Sequence, residues 1–238
     1  MVQLFTTLNE LGAENSDLTK KEFEEKYGKL INRCMKLGNH GWVVSKFSNY
    51  DDIENWINMI ENNNMEEIIM FFEHYLNSIF EELKNRYYNS PEYIYFFKAK
   101  NFFEKEDYMT SSMYATALID YRVNTKIDFS KIERPTNRNK FSNKGFSNHA
   151  ENEYKNVDNM FKTFLFACMY PSLIEFLKRL FVDGKNSFKS GNEPNYLNRS
   201  WLMHGRVTRQ IQRFECLQLF NALDTLELLF LVDGKHND

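Results

Sequence analysis

The fold class follows from residues 65–85, which read MEEIIMFFEHYLNSIFEELKN. Apolar side chains recur along this stretch at intervals of three or four positions: Ile68, Ile69, Phe72, Leu76, Ile79, Phe80 and Leu83. Such spacing places them on one face of an α-helix, with the polar side chains on the opposite face. The stretch therefore predicts a long amphipathic helix that packs against other elements.

The same periodicity covers most of the chain in both directions. It predicts further helices over about 19–38, 53–60, 91–103, 108–121, 157–182 and 214–232, and a short extended segment over 41–45. The Asn-Ser-Pro run at 89–91 marks a boundary, because proline suits the first turn of a new helix. We therefore predict an all-α helical bundle, with an N-terminal helical region over 1–90 and a C-terminal bundle over 91–238.

Composition limits the classes of function. The chain has 238 residues and a formal net charge of −3, so any contact with nucleic acid must use a local basic patch. The three cysteines, Cys34, Cys168 and Cys216, lie far apart among apolar residues, which indicates buried free thiols in a reducing compartment. No basic and apolar leader and no long apolar run is present, so we expect a cytoplasmic protein without a membrane partner.

One region departs from the helical pattern. Residues 122–150 are polar and rich in asparagine, and between Arg122 and Lys144 seven lysines or arginines stand against two acidic residues. We predict a long basic loop here, since no apolar period survives. Two interpretations stay open: a solvated insertion, or part of a surface that binds a polyanion.

The candidate chemistry lies in the run Asn198-Arg-Ser-Trp-Leu-Met-His-Gly205. Asn198 suits the N-cap of a short helix, and Gly205 suits its left-handed end. An arginine side chain such as that of Arg199 is a fixed cation, whereas histidine, the residue type at 204, is the usual proton carrier in catalysis. A proton carrier beside a fixed cation is suited to phosphodiester cleavage without a metal or other cofactor.

The run resembles the Arg-x(4–6)-His signature of the HEPN superfamily (higher eukaryotes and prokaryotes nucleotide-binding). The sequence Leu-Asn-Arg-x4-His-Gly over 197–205 is similar to the motif of HEPN-like proteins from phage-defence and abortive-infection systems. Residues 102–108 resemble the corner of the helical hairpin that begins such domains, and residues 219–226 resemble their final helix. The resemblance covers about 91–238 and is specific over 195–206.

The resemblance implies a metal-independent endoribonuclease that acts on RNA in antiviral or abortive-infection defence. His204 would move a proton on or off the ribose 2′-hydroxyl, Arg199 would stabilise charge on the phosphate, and a 2′,3′-cyclic phosphate would be a product. Asn198 and Ser200 would support the pair. Family members often act as homodimers, and an antitoxin or a phage-derived trigger would be a natural partner.

The position after the motif arginine separates two alternatives. In the family it often carries Asn, Asp or His, whereas this chain has Ser200, which cannot carry a charge. Family members without a full site act as binding or assembly modules. A non-catalytic interaction module and an RNA- or nucleotide-binding module therefore remain alternatives to the nuclease.

Three arginines follow the motif, namely Arg206, Arg209 and Arg213. If a helix begins near Arg206, they form one stripe that continues from His204. Such a stripe could hold an RNA backbone through its phosphates. The alternative is a solvated helix face.

Overall fold

The computed structural model describes residues 20–62, 64–126 and 164–232, and every regular element in these ranges is helical. The all-α prediction is therefore confirmed for the described part of the chain. The elements, in chain order, are α1 (Lys20–Asn39), α2 (Tyr50–Glu61), α3 (Glu66–Tyr87), α4 (Tyr93–Glu104), α5 (Tyr108–Lys126), a π-helical turn (Leu165–Met169), α6 (Tyr170–Leu180), α7 (Lys185–Ser190), α8 (Arg199–Met203) and α9 (Arg213–Val232).

Helix α9 lies at the centre of the molecule. It packs against α3, α5 and α6, while α1 packs along α6. Its side chains are almost all buried, including Leu219, Phe220 and Leu223, each with no exposed surface. A single hydrophobic core contains residues from both predicted regions, 1–90 and 91–238. None of the described helices is long and apolar enough to cross a membrane.

The amphipathic pattern of α3 is reproduced in its packing. Ile68, Phe72, Ile79 and Leu83 are buried, whereas Met70, which falls between the apolar positions, is 64% exposed. Burial of each large aliphatic or aromatic side chain contributes roughly 1.5–3 kcal/mol, which explains why this face determines how the helix docks.

The extended segment predicted over 41–45 is a buried loop without a strand partner in the described structure. Several of its backbone groups are paired with side chains from α6 and α9. The Val44 N–H donates to Ser172 Oγ at 2.9 Å, and the Val43 carbonyl accepts from Asn221 Nδ2 at 2.6 Å. Those contacts remove the cost of burying unpaired peptide groups, so the loop ties the N-terminal helices to the centre.

The corner expected between the helices predicted over 91–103 and 108–121 is confirmed between α4 and α5. Glu106 adopts a left-handed conformation with φ 63°, and the Asp107 N–H donates to the Phe102 carbonyl at 2.9 Å. Asp107 Oδ1 accepts from the Thr110 N–H at 3.0 Å, which caps the start of α5.

The prediction of a basic loop over 122–150 is wrong for residues 122–126, because α5 continues through Lys126. Arg122 lies on that helix rather than in a loop. It donates to both carboxylate oxygens of Glu227 on α9, with 2.8 Å between Nη2 and Oε2. The Glu227 side chain is 1% exposed, so this cation serves the interior rather than a polyanion surface. Residues 127–150 lie outside the described residues, as does the start of the helix predicted from residue 157.

The polar sequence of residues 185–195 predicts a loop, and this prediction is also partly wrong. Residues Lys185–Ser190 form the short helix α7, which ends at Gly191 with φ 71°. Only Phe188 in this stretch is apolar, so no periodicity marked it. Tertiary contacts with α8 stabilise it, as described next.

Candidate functional site

The short helix α8 carries the motif, and its two ends are those predicted. Asn198 Oδ1 accepts from the Trp201 N–H at 3.1 Å, while Asn198 Nδ2 donates to the Val182 carbonyl at 3.0 Å. Gly205 follows the helix with φ 64°, a conformation that glycine adopts without strain. Asn198 is thus an N-cap that also ties α8 to the segment after α6.

The inner face of α8 anchors the motif in the core. Leu197, Trp201 and Leu202 are 6%, 5% and 2% exposed. Trp201 Nε1 donates to Ser187 Oγ at 2.8 Å, and the ring of Phe188 meets the indole at 5.3 Å between centroids. These contacts fix α7 against α8.

His204 is the C-cap residue of α8, and its side chain is exposed. Its backbone N–H donates to the Ser200 carbonyl at 3.2 Å, which completes the last turn. Its ring stands perpendicular to that of Phe188, with 5.6 Å between the centroids. The imidazole is therefore backed by protein on one side and open to solvent on another.

Arg199 begins α8 and points towards α5. Its Nη2 lies 3.0 Å from Asp120 Oδ2, and the two side chains are 33% and 27% exposed. The other oxygen of Asp120 accepts from Asn124 Nδ2 at 2.9 Å, while Arg199 Nε is buried without a hydrogen-bond partner. The guanidinium is thus held by one carboxylate at the protein surface, and the Arg199 side chain as a whole is a third exposed.

The supporting residues of the motif lie on its inner side. Ser200 is 8% exposed and Asn198 is 3% exposed, in contrast to the exposed His204. Both can therefore act on the pair through the backbone of α8. Their predicted supporting role stays a prediction.

The helical stripe of three arginines is absent, because residues 206–212 are not helical and α9 begins at Arg213. Arg213 pairs with Glu73 at 2.6 and 2.8 Å. Arg209 pairs with Glu215, also through two hydrogen bonds at 2.6 and 2.8 Å, and this bonding raises the pKa of Arg209. Arg206 differs, since its guanidinium is exposed and lies 4.4 Å above the centroid of Phe188.

The segment after His204 is held in place by one carboxylate. Glu193 accepts from both the N–H and the hydroxyl of Thr208, the latter at 2.6 Å, and from the Arg209 N–H. This clasp joins the loop before α8 to the segment that follows it. Arg206 is therefore confined between α8 and a fixed point two residues later.

Two residues of the site escaped the sequence-based prediction, namely Asp120 and Phe188. Asp120 is the one acidic residue in the sequence of α5, which is a signal that could have singled it out. Phe188 is the one aromatic residue in an otherwise polar stretch over 185–195. Neither signal indicates a contact with the motif, because the contacts are distant in the chain. Asp120 lies 79 residues before Arg199, and Phe188 lies 16 residues before His204.

Among the described residues, no group of three or more His, Cys, Asp or Glu side chains is arranged to hold a metal ion. Comparisons with protein-family models, with curated proteins and with solved structures find no match to this chain. The resemblance of residues 197–205 to the HEPN superfamily therefore stays a prediction from the sequence motif.

Proposed function

We propose that this chain is a HEPN-like, metal-independent endoribonuclease, with Arg199 and His204 as its catalytic residues. The observation that supports the proposal best is the exposed imidazole of His204 at one end of α8, with the partly exposed guanidinium of Arg199 at the other. Buried Trp201 and Leu202 anchor the helix, so the backbone positions from which both side chains extend are fixed. Fixed groups of this kind cost no reorganisation when charge develops during reaction.

The chemistry assigns one task to each residue. Neutral His204 accepts the proton of a ribose 2′-hydroxyl while the 2′-oxygen forms a bond to phosphorus. The bond from phosphorus to the 5′-oxygen breaks, and that oxygen leaves with a proton from solvent. Arg199 stabilises the extra negative charge on the phosphoryl oxygens. The products are a 2′,3′-cyclic phosphate and a free 5′-hydroxyl.

The magnitudes are consistent with this assignment. Proton transfer by a positioned histidine contributes about 10²- to 10⁴-fold in rate. A cation aimed at developing charge contributes about 3–4 kcal/mol where water is excluded. Because Arg199 is a third exposed, the lower part of that range applies.

The proposal extends to partners. We propose that the chain acts as a homodimer in antiviral or abortive-infection defence, with an antitoxin or a phage-derived protein as its regulator. The support is the resemblance of the motif to HEPN-like defence proteins. Light scattering of the purified protein gives the oligomeric state. Induced expression in bacteria compares the toxicity of the wild type with that of His204→Ala.

One observation favours the alternative, a non-catalytic interaction or RNA- or nucleotide-binding module. Arg199, Arg209 and Arg213 each have a carboxylate partner in the described structure, so their charge is already balanced. A module of this kind would bind a partner or an RNA without cleaving it.

Cleavage in EDTA with analysis of the product ends separates the two functions. A nuclease of the proposed type yields 2′,3′-cyclic phosphate ends, and a 2′-deoxy substitution at the cleaved position stops the reaction. Arg199→Ala lowers the rate, whereas Arg33→Ala retains it. Arg33 is a matched control because it forms an ion pair with Glu54 at similar exposure, 31% and 24%. Binding without cleavage would support the module instead.

A further inference from the structure

One aromatic ring lies against two polar groups of the site. The imidazole of His204 stands perpendicular to the ring of Phe188 with 5.6 Å between centroids, and the guanidinium of Arg206 lies 4.4 Å above the same ring. His204 and Arg206 are exposed, while Phe188 is half-buried. The ring therefore forms a common support beneath a proton carrier and a cation.

Phe188 is itself held from below. Its ring packs against the buried indole of Trp201 at 5.3 Å, and the neighbouring Ser187 accepts the indole N–H at 2.8 Å. At Gly184 a Cβ atom would lie 2.6 Å from the end of the Phe188 ring, so a larger residue there would displace the ring from its present position. Contacts with the core thus fix the position of the Phe188 ring. The ring in turn fixes the positions of the surface groups that pack on it.

Arg206 differs in its electrostatic surroundings from the other arginines of the site. Within the described part of the chain no carboxylate pairs with Arg206, whereas Arg199, Arg209 and Arg213 all have such partners. A guanidinium stacked on an aromatic ring keeps its hydrogen-bond donors directed outwards around its edge. Those donors are free to meet the oxygens of a phosphate.

We propose that Phe188 is a positioning residue that holds Arg206 and His204 around one phosphodiester of RNA, with Arg206 as the cation that binds it. This inference rests on the proposed function. It selects Arg206 from the three arginines after the motif. It also assigns to α7 the role of carrying Phe188. The ring fixes the plane of the guanidinium and the direction of the imidazole, so the phosphate and the 2′-hydroxyl of one nucleotide meet both groups.

The test is a double-mutant cycle on binding. The probe is a short single-stranded RNA with 2′-O-methyl riboses, which the proposed chemistry cannot cleave, and its affinity is measured by fluorescence anisotropy. We expect Phe188→Leu and Arg206→Ala each to weaken binding by roughly 3- to 10-fold, the range of an aromatic or cation–π contact. The double variant should weaken it no further than Arg206→Ala alone, because both changes remove one arrangement.

Conservative variants distinguish positioning from folding. Phe188→Tyr retains the ring and should bind as the wild type does. Arg206→Lys retains the charge without the planar stacking, so it should bind RNA about as weakly as Arg206→Ala. This variant tests the stacking independently if Phe188→Leu does not fold. Arg33→Ala, which removes an arginine paired with Glu54 away from the motif, is the matched control and should leave binding unchanged. Cleavage assays add a further readout, since Phe188→Leu should lower kcat as well as raise KM.

The outcomes separate this inference from the proposed function. Wild-type binding without cleavage, together with a non-additive cycle, would overturn the nuclease and leave the phosphate site. Cleavage with additive effects, or with normal binding by Phe188→Leu, would overturn the phosphate site alone. Wild-type protein that neither binds nor cleaves RNA would overturn both.

Discussion

Asp120 and Arg199, 79 residues apart in the chain, form an ion pair of 3.0 Å between Oδ2 and Nη2 at the surface where α5 meets α8. The pair gives the motif arginine a defined direction in the free protein. It also places a negative charge where a phosphate would bind. A phosphate must therefore share or replace the Asp120 carboxylate.

Asp120→Asn tests this competition. The change keeps the shape of the side chain and removes its charge, so we expect 2′-O-methyl RNA to bind about 3-fold more tightly, in line with a partly exposed ion pair. The dependence of log K on log salt should steepen by about 0.7, because one more cation engages a single-stranded backbone. Glu54→Gln, which breaks the matched pair with Arg33, should change neither quantity. Weaker binding by Asp120→Asn would show that the carboxylate supports the ligand site instead.

The cap of α8 gives a prediction for stability. Asn198→Ala removes the acceptor for the Trp201 N–H and the donor to the Val182 carbonyl, so it should lower the free energy of unfolding by about 1–2 kcal/mol. Asn198→Asp keeps the acceptor alone and should cost less. Urea denaturation measures both. Equal stability of the alanine variant would mean that the motif helix does not depend on its cap.

The buried pair of Arg122 and Glu227 gives a larger effect. Glu227 is 1% exposed and also accepts from the Tyr87 hydroxyl at 2.9 Å. Glu227→Ala leaves Arg122 without its main partner and should cost about 3–5 kcal/mol of unfolding free energy. Glu92→Ala removes only the longer contact of 3.2 Å to Arg122 and should cost clearly less. Similar losses for the two variants would show that Glu227 is not the main partner of Arg122.

Asp224 predicts how stability changes with pH. Burial raises the pKa of Asp224 to about 6 from 3.8, although Lys46 lies 3.1 Å away and opposes the shift. Between pH 4 and 6 the folded state alone keeps the proton, so the free energy of unfolding falls as the pH rises. Relative to Asp224→Asn, the wild type should lose up to about 1.4 kcal/mol per pH unit across this window. Parallel stability curves for the two proteins would contradict the assignment.

The long helices could be predicted because the spacing of their apolar residues determines which face is buried. In α3, burial follows the apolar positions, from Ile68 and Phe72 to Leu83. The two ends of α8 were likewise predictable, since Asn198 and Gly205 act through local backbone geometry. Elements of this kind need no knowledge of distant residues.

The remaining features depend on partners far away in the chain. Helix α7 lacks a period of its own and is held by contacts of Ser187 and Phe188 with Trp201. Arg213 lies at the surface, but its charge is paired with Glu73, a partner 140 residues earlier that its position in the sequence does not indicate. The polar sequence around Arg122 predicts a basic loop for the same reason, since the charge of Arg122 does not indicate its partner Glu227. Sequence spacing identifies charged residues, whereas tertiary pairing decides which of them stay available.

The rate of RNA cleavage in EDTA by wild type and by His204→Ala tests the central claim most directly. We predict that the wild type cleaves and that the variant is slower by about 10²- to 10⁴-fold. Its free energy of unfolding should change by no more than about 0.5 kcal/mol, because the side chain is exposed. His74→Ala, an exposed histidine on α3, should retain the full rate. Equal cleavage by His204→Ala and wild type, or no cleavage by a folded wild type, would contradict the assignment of His204 as the proton carrier.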